Sequence, residues 1–509
     1  MIRFTIPLTT PSLFYCIAMP KQAKLIHICL LVFSLLWPSV QSFAANNPNN
    51  PNIQNLPSLG DHTSGIISLA KERELGQGFL RSIRAQAPLV KDPVLQEYLE
   101  LLIYRLASHS QLQDRRLDLV IIDNKTINAF AAPGGIVGIN LGLFLFGETE
   151  SEISAILAHE LAHLSQRHFA RGAEAGKKTG LISIAGLLAG LVLMATTGGE
   201  AGLAAITASN SLAQNNILRY SRGRETEADR VGIYTLIEAE MNPRAMAHMF
   251  ERLSHASRFS GRNIPEFLRT HPVTKNRIAD SYIQTESQPI KDYQPVLDFQ
   301  LMRTRVLVRT AGPTIDIVAQ MEDRLKTKDQ VLLTAARYGV ALAKAKKGQL
   351  DSSMRHILAL REEYPEKITF VITEAELHMK AERFDSAIEV LQDALTISPN
   401  NYPLTMTYAD ALMKNRQASE AVRVLTDITT SRPNDKDAWY SLAEAQGLNR
   451  NTVGVHLARA EFFVLIGNFD QAIKQLGFAY PMVKDNFQKN ARVQQRIEEI
   501  FLMKMKERH

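Results

Sequence analysis

Apolar residues recur at helical spacing from about Gly65 to Arg115 and break near Pro88 and Pro93, which predicts two helices. Leu117 to Ile122 is a short β-branched run, hence a strand, turned by Asp123-Asn124. Ile127 to Ile139 reads as further extended chain interrupted at Pro133-Gly134-Gly135. Glu150 to about Arg171 holds no Gly or Pro and predicts one helix. Leu181 to Ala195 is almost wholly apolar but short for a membrane span. It reads as a buried helix or helical hairpin, with peripheral membrane contact as the other reading. About Asn215 to Met241 is again helical, and residues 284–300, with Pro289 and Pro295, mark a boundary.

Beyond that boundary the pattern has a period of 34. Pro365, Pro399 and Pro433 follow it, as do Ala341, Ala375, Ala409 and Ala443, Ala387 and Ala421, Leu391 and Leu425, and Asp351 and Asp385. Small residues let paired helices approach, and Pro ends each second helix. The period resembles that of tetratricopeptide repeats. Arg383-Phe384-Asp385-Ser386-Ala387-Ile388 is echoed by Asn468-Phe469-Asp470-Gln471-Ala472-Ile473, 85 residues later. That is two and a half periods, so the last repeats are irregular.

The start of the chain reads as a secretory leader. Lys21 and Lys24 precede the apolar run Ile26 to Leu36, and Ser42-Phe43-Ala44 offers a cleavage site after Ala44. Met19 is an alternative start with a conventional charged segment. Cys16 and Cys29 both lie in this leader, so the mature chain has no disulfide and any metal site must use His and carboxylate. The formal charge of +6 falls to +3 without Arg3, Lys21 and Lys24. That is too little to favour nucleic acid or an anionic membrane as the main partner.

Ala158-His159-Glu160-Leu161-Ala162-His163 contains HExxH. On a helix His159 and His163 share a face and can bind one zinc ion, and Glu160 beside them can reach a metal-bound water. The third ligand is sought in Arg224-Glu225-Thr226-Glu227-Ala228-Asp229-Arg230. Glu225 and Asp229 are one turn apart, so Glu225 can bind the metal while Asp229 orients a ligand histidine. Glu227 points elsewhere, toward an exposed ion pair with Arg224 or Arg230. His168 is rotated off the ligand face and reads as structural or exposed.

HExxH followed by ExxxD resembles the gluzincin peptidases of the CAAX-prenyl-protease and HtpX superfamily. The segment Asn128-Ala129-Phe130-Ala131-Ala132-Pro133-Gly134-Gly135 matches a family segment that forms an extended edge near the metal. The resemblance makes Asn128, Ala129, Phe130, Pro133, Gly134 and Gly135 a substrate edge, where backbone pairing gives affinity without strong sequence preference. The family's His-Pro segment matches Thr270-His271-Pro272. It implies for His271 either the fourth metal position in a resting state or oxyanion stabilisation; a plain helix-entry histidine is the remaining reading.

With leader, peptidase and repeats in this order, the chain is similar to the periplasmic β-barrel assembly-enhancing protease group. The implied fold is mainly α with a small β-sheet: a zincin-type metallopeptidase domain followed by an α-solenoid of tetratricopeptide repeats. The segments expected are leader 1–44, linker 45–64, peptidase 65–285, linker 286–300 and repeats 301–509. The implied activity is zinc-dependent endopeptidase hydrolysis with one zinc per chain. The implied partners are unfolded or misassembled outer-membrane proteins and, through the repeats, the β-barrel assembly machinery. Arg258 to Thr270 reads as a lid over the site. The alternative is chiefly a chaperone or assembly scaffold with a gated metal site.

Overall fold

The computed structural model describes residues 67–175, 180–197, 222–259 and 265–508. The predicted leader with Cys16 and Cys29, the linker 45–64, residues 215–221 of a predicted helix and the lid's Gly261 lie outside the described residues.

The two predicted N-terminal helices are α1 (Leu69–Gln86) and α2 (Pro93–Ser108). Ser68 and Asp92 cap them by accepting from Lys71 N–H and Leu95 N–H. The extended runs become β1 (Asp118–Ile122), β2 (Ala129–Ala132) and β3 (Ile136–Asn140). They form one sheet in the order β1-β3-β2, with β1 parallel and β2 antiparallel to β3. Gly134 (φ 77°) and Gly135 (φ 84°) make the left-handed turn from β2 to β3 that a side chain would resist.

After the short α3 (Gly142–Phe146) comes α4 (Glu150–Ser165). Thr149 and Glu152 close a capping box at its start. Every residue from Glu152 to His163 is buried, so α4 is the central helix of its half. It stops short of the predicted Arg171. Arg167 takes φ 49°, the chain reverses, and α5 (His168–Ala175) starts in a new direction. The apolar stretch forms α6 (Gly180–Thr197), whose Leu188, Leu191, Val192 and Ala195 pack with Phe79, Leu80 and Ile83 of α1. No helix among the described residues is long and apolar enough to cross a membrane.

Helices α7 (Arg222–Glu238) and α8 (Ala245–Phe259) pack against α4, the short α9 (Glu266–Thr270) follows, α10 (Lys275–Thr285) packs on α7 and α8, and α11 (Leu297–Thr310) leads into the repeats. The repeat pairs are Gln330–Lys346 with Leu350–Glu363, Ile368–Lys380 with Phe384–Ile397, Tyr402–Lys414 with Ala418–Ser431, and Lys436–Leu448 with Thr452–Leu465. The periodic Ala341, Ala375, Ala409 and Ala443 are buried, and Pro365, Pro399 and Pro433 each follow the end of a second helix. The echoed Phe469 opens a first helix (Phe469–Ala479) with a second-helix sequence, which accounts for the half-period offset. The long helix Phe487–Arg508 closes the array.

The two halves share a core. One apolar cluster runs from Leu99 and Phe144 through Phe299 to Tyr338 and Phe370. Arg305 of α11 reaches both Asp92 (2.6 Å) and Glu376 (2.8 Å), and Arg432 of the repeats pairs with Glu100 of α2 at 2.6 Å.

Candidate metal centre

The site is built where α7 crosses α4. Gly232 permits the close approach, since a Cβ there would sit 3.1 Å from the His159 backbone nitrogen. One turn of α7 then faces the HExxH turn of α4, and His271, which caps the end of α9, comes in from a third direction.

His159, His163, Glu225 and His271 converge, each buried, with one donor atom apiece inside a single cluster. His163 Nε2 lies 3.0 Å from His159 Nε2, and Glu225 lies 3.5 Å from both. His271 Nδ1 is 3.3 Å from His159 Nε2 and 3.2 Å from Glu225. Tetrahedral donors around zinc sit about 3.3 Å apart at ordinary bond lengths. Imidazole nitrogens turned toward one another at these distances need a proton or a cation between them. The donor set and its spacing fit zinc.

The outward nitrogens are held as well. Asp229 Oδ1 lies 2.9 Å from His159 Nδ1, the contact expected of a carboxylate one turn from Glu225. Arg277 of α10, which the sequence reading passed over, donates to both Asp229 oxygens at 2.7 Å and reaches Glu225 at 2.9 Å, lying over the Phe250 ring. His163 Nδ1 meets His168 Nδ1 at 2.8 Å, and His168 Nε2 meets Glu227 at 3.1 Å. His168 is fully buried and is a structural partner of the site. The chain reversal at Arg167 brings it back, so its rotation along a straight helix does not apply. Glu227 stays out of the donor set, but its partners are His168 and Arg171 rather than Arg224 or Arg230.

Glu160 is divided between two environments. Its Oε2 accepts from Ala131 N–H of β2 at 2.9 Å. Its Oε1 accepts no hydrogen bond from the described residues, although His271 Nε2 lies 3.4 Å away. Burial raises the Glu160 carboxyl above the ordinary range, opposed by the neighbouring histidines. Burial lowers His163 well below the usual imidazole value, and the nearby imidazoles push the same way. At His159 burial also pulls down, but Asp229 and Glu225 outweigh it and raise the pKa to about 9.

β2 is the edge strand beside α4. Its direct contact with the site is Ala131, which the sequence reading did not single out. Ala129 is buried in the peptidase core, and Phe130 packs edge-on to Phe79 at 5.9 Å. Pro133-Gly134-Gly135 turn under α1, where Arg73 donates to the Gly134 carbonyl. Asn128 donates to Glu266 of α9 at 3.3 Å, tying the helix that carries His271 to this strand.

Residues 93–281 match the model of peptidase family M48, and residues 378–445 match a tetratricopeptide repeat model. The chain is 30% identical to the β-barrel assembly-enhancing protease of Escherichia coli over 87% of this chain and 91% of that protein. It is 33% identical to the Vibrio cholerae counterpart over 93% of this chain and 97% of that one. The mitochondrial metalloendopeptidase OMA1 of Schizosaccharomyces pombe is 29% identical over 42% of this chain and 60% of its own length. The chain therefore belongs to peptidase family M48, as a zinc metallopeptidase of the β-barrel assembly-enhancing protease family.

Proposed function

We propose that this chain is a periplasmic endopeptidase that degrades misassembled outer-membrane β-barrel proteins and assists the assembly of others. His159, His163 and Glu225 hold the zinc, which when bound polarises the scissile carbonyl and acidifies water. Glu160 is the general base. Ala131 N–H pins one carboxylate oxygen and leaves Oε1 to take a proton from water and return it to the leaving amine. That unbonded oxygen beside four converging donors is the observation that carries the reading. Asp229 and Arg277 fix His159 and Glu225 in place. His271 occupies the fourth donor position, so the arrangement here is a closed one.

The client class rests on the names of the relatives, the periplasmic location on the leader, and a partnership with the β-barrel assembly machinery on the repeats; nucleic acid has no part in it. Purified zinc-loaded protein should cleave an unfolded outer-membrane barrel protein and spare the same protein folded in detergent. Equal cleavage of both forms, or of neither, contradicts this client selection.

The scaffold reading keeps one observation in its favour: Glu160 and all four donors are buried. In a strain lacking the protein, a Glu160→Gln variant that restores barrel assembly in full would favour it.

A further inference from the structure

A cavity of about 550 Å³ opens between the sheet and the repeats, apart from the metal centre. Its floor is the outer edge of β1, and its walls include Tyr104, Met406 and Tyr440. Along β1 alternate residues face β3 in the parallel register, and the bonds at the two ends show which: Asp118 N–H donates to the Gly135 carbonyl just before β3, and the Ile122 carbonyl accepts from Leu141 N–H just after it. Leu119 and Ile121 therefore turn their backbone groups outward. Val90 N–H already occupies the Ile121 carbonyl at 2.9 Å, and Tyr104 Oη occupies the Leu117 carbonyl at 3.2 Å. Between these two stoppers Leu119 offers an N–H and a carbonyl with no partner among the described residues.

The same cavity holds an uncommitted cation. Arg84 lines it and makes no hydrogen bond or ion pair among the described residues. Its neighbours are otherwise engaged. Asp118 is taken by Arg73, Glu100 by Arg432 and Asp437 by Lys436. Asp435 caps the helix Lys436–Leu448. Burial lowers the Arg84 pKa because the nearby carboxylates act only at a distance. Lys91 stands at the rim over the Tyr440 ring.

We propose that this cavity binds the carboxy-terminal residues of an extended polypeptide, adding them to the edge of β1 and taking the terminal carboxylate on Arg84. Main-chain pairing at a sheet edge is a general mode of peptide capture. The edge is blocked at both ends, so a through-running strand does not fit and a chain end does. An unpaired arginine selects the carboxylate end over the amino end. The cavity lies in the size range of sites for small ligands and short peptides. The proposal rests on the client-binding part of the proposed function and not on its proteolytic chemistry.

The test uses the full zinc-loaded chain carrying Glu160→Gln, so that the probe survives. The probe is a short peptide of alternating threonine and valine with fluorescein at its amino end, prepared as free acid and as carboxy-terminal amide. Anisotropy should show saturable binding of the free acid, about tenfold to a hundredfold tighter than the amide. Arg84→Gln should bring the free acid to the level of the amide without moving the amide, and Arg84→Lys should keep part of the difference. Methylating the backbone nitrogen of the penultimate residue should weaken binding to the parent. Unchanged melting temperatures would show that the Arg84 variants are folded. Equal binding of acid and amide, indifference to Arg84→Gln, or no saturable binding overturns the proposal. Casein cleavage by the otherwise wild-type chain is followed separately. If it fails while the peptide binds, only the peptidase reading falls; if it proceeds while the peptide does not bind, only this proposal falls.

Discussion

At the scale of residues, the centre depends on what stands behind its donors. His159 is aimed by Asp229, Asp229 by Arg277, and His163 by the His168–Glu227 pair. Removing such partners from metal ligands costs about tenfold to a hundredfold in metal affinity. Asp229→Ala and His168→Ala should each weaken zinc binding by about that much in a chelator competition. His168→Gln, which can still bond to His163, should recover part of the loss. Zinc affinity unchanged in His168→Ala would remove it from the site. His159 adds a pH dependence. Its raised pKa of about 9 means the metal-free chain holds a proton there at neutral pH. Zinc must displace that proton, so affinity should rise with pH by up to about tenfold per unit until pH 9 and then level. Calorimetry in buffers of different ionisation enthalpy should detect proton release at pH 7; its absence contradicts the assignment. Much of this was legible in sequence, because HExxH and ExxxD place side chains by local helical periodicity. Arg277, His168 and the Ala131 N–H were not. Their roles come from a helix folding back, a left-handed reversal at Arg167 and a strand edge, which periodicity does not encode.

At the scale of elements, the repeats reuse one turn. Gly348, Glu382, Arg416 and Arg450 recur with the period of the array, and each has a left-handed φ between 57° and 80° at the turn from first to second helix. Only the first is glycine. The others carry a Cβ in a region that costs about 1 kcal/mol or more. Glu382→Gly, Arg416→Gly and Arg450→Gly should each stabilise the fold by up to about 1 kcal/mol and raise the melting temperature together. A lower melting temperature for all three would show that their side chains matter more than the backbone. The alanine and proline periodicity made the helical pairs legible. The end of α4 at Gln166 was not, because the chain contains no Gly or Pro there to announce it.

At the scale of the whole molecule, the shared core is the feature least visible in sequence. The proline-bearing stretch 284–300 reads as a domain boundary, and across it Phe144 stacks on Phe299 of α11 at 6.1 Å while Arg305 and Arg432 form ion pairs. Burial of such surface couples unfolding. Calorimetry of the zinc-loaded chain should show one cooperative transition, and two well-separated transitions would contradict a common core. His271 stands in the donor cluster and Glu160 is buried, so the proposed closed site predicts that α9, which carries His271, moves when substrate enters. The most direct test is casein proteolysis with zinc content measured on the same samples of wild type, Glu160→Gln and His271→Ala. The account predicts zinc near one per chain in wild type and Glu160→Gln, cleavage about a hundredfold to ten-thousandfold slower in Glu160→Gln, and faster cleavage in His271→Ala. Stoichiometric zinc with no cleavage by wild type or His271→Ala, or undiminished cleavage by Glu160→Gln, would contradict it.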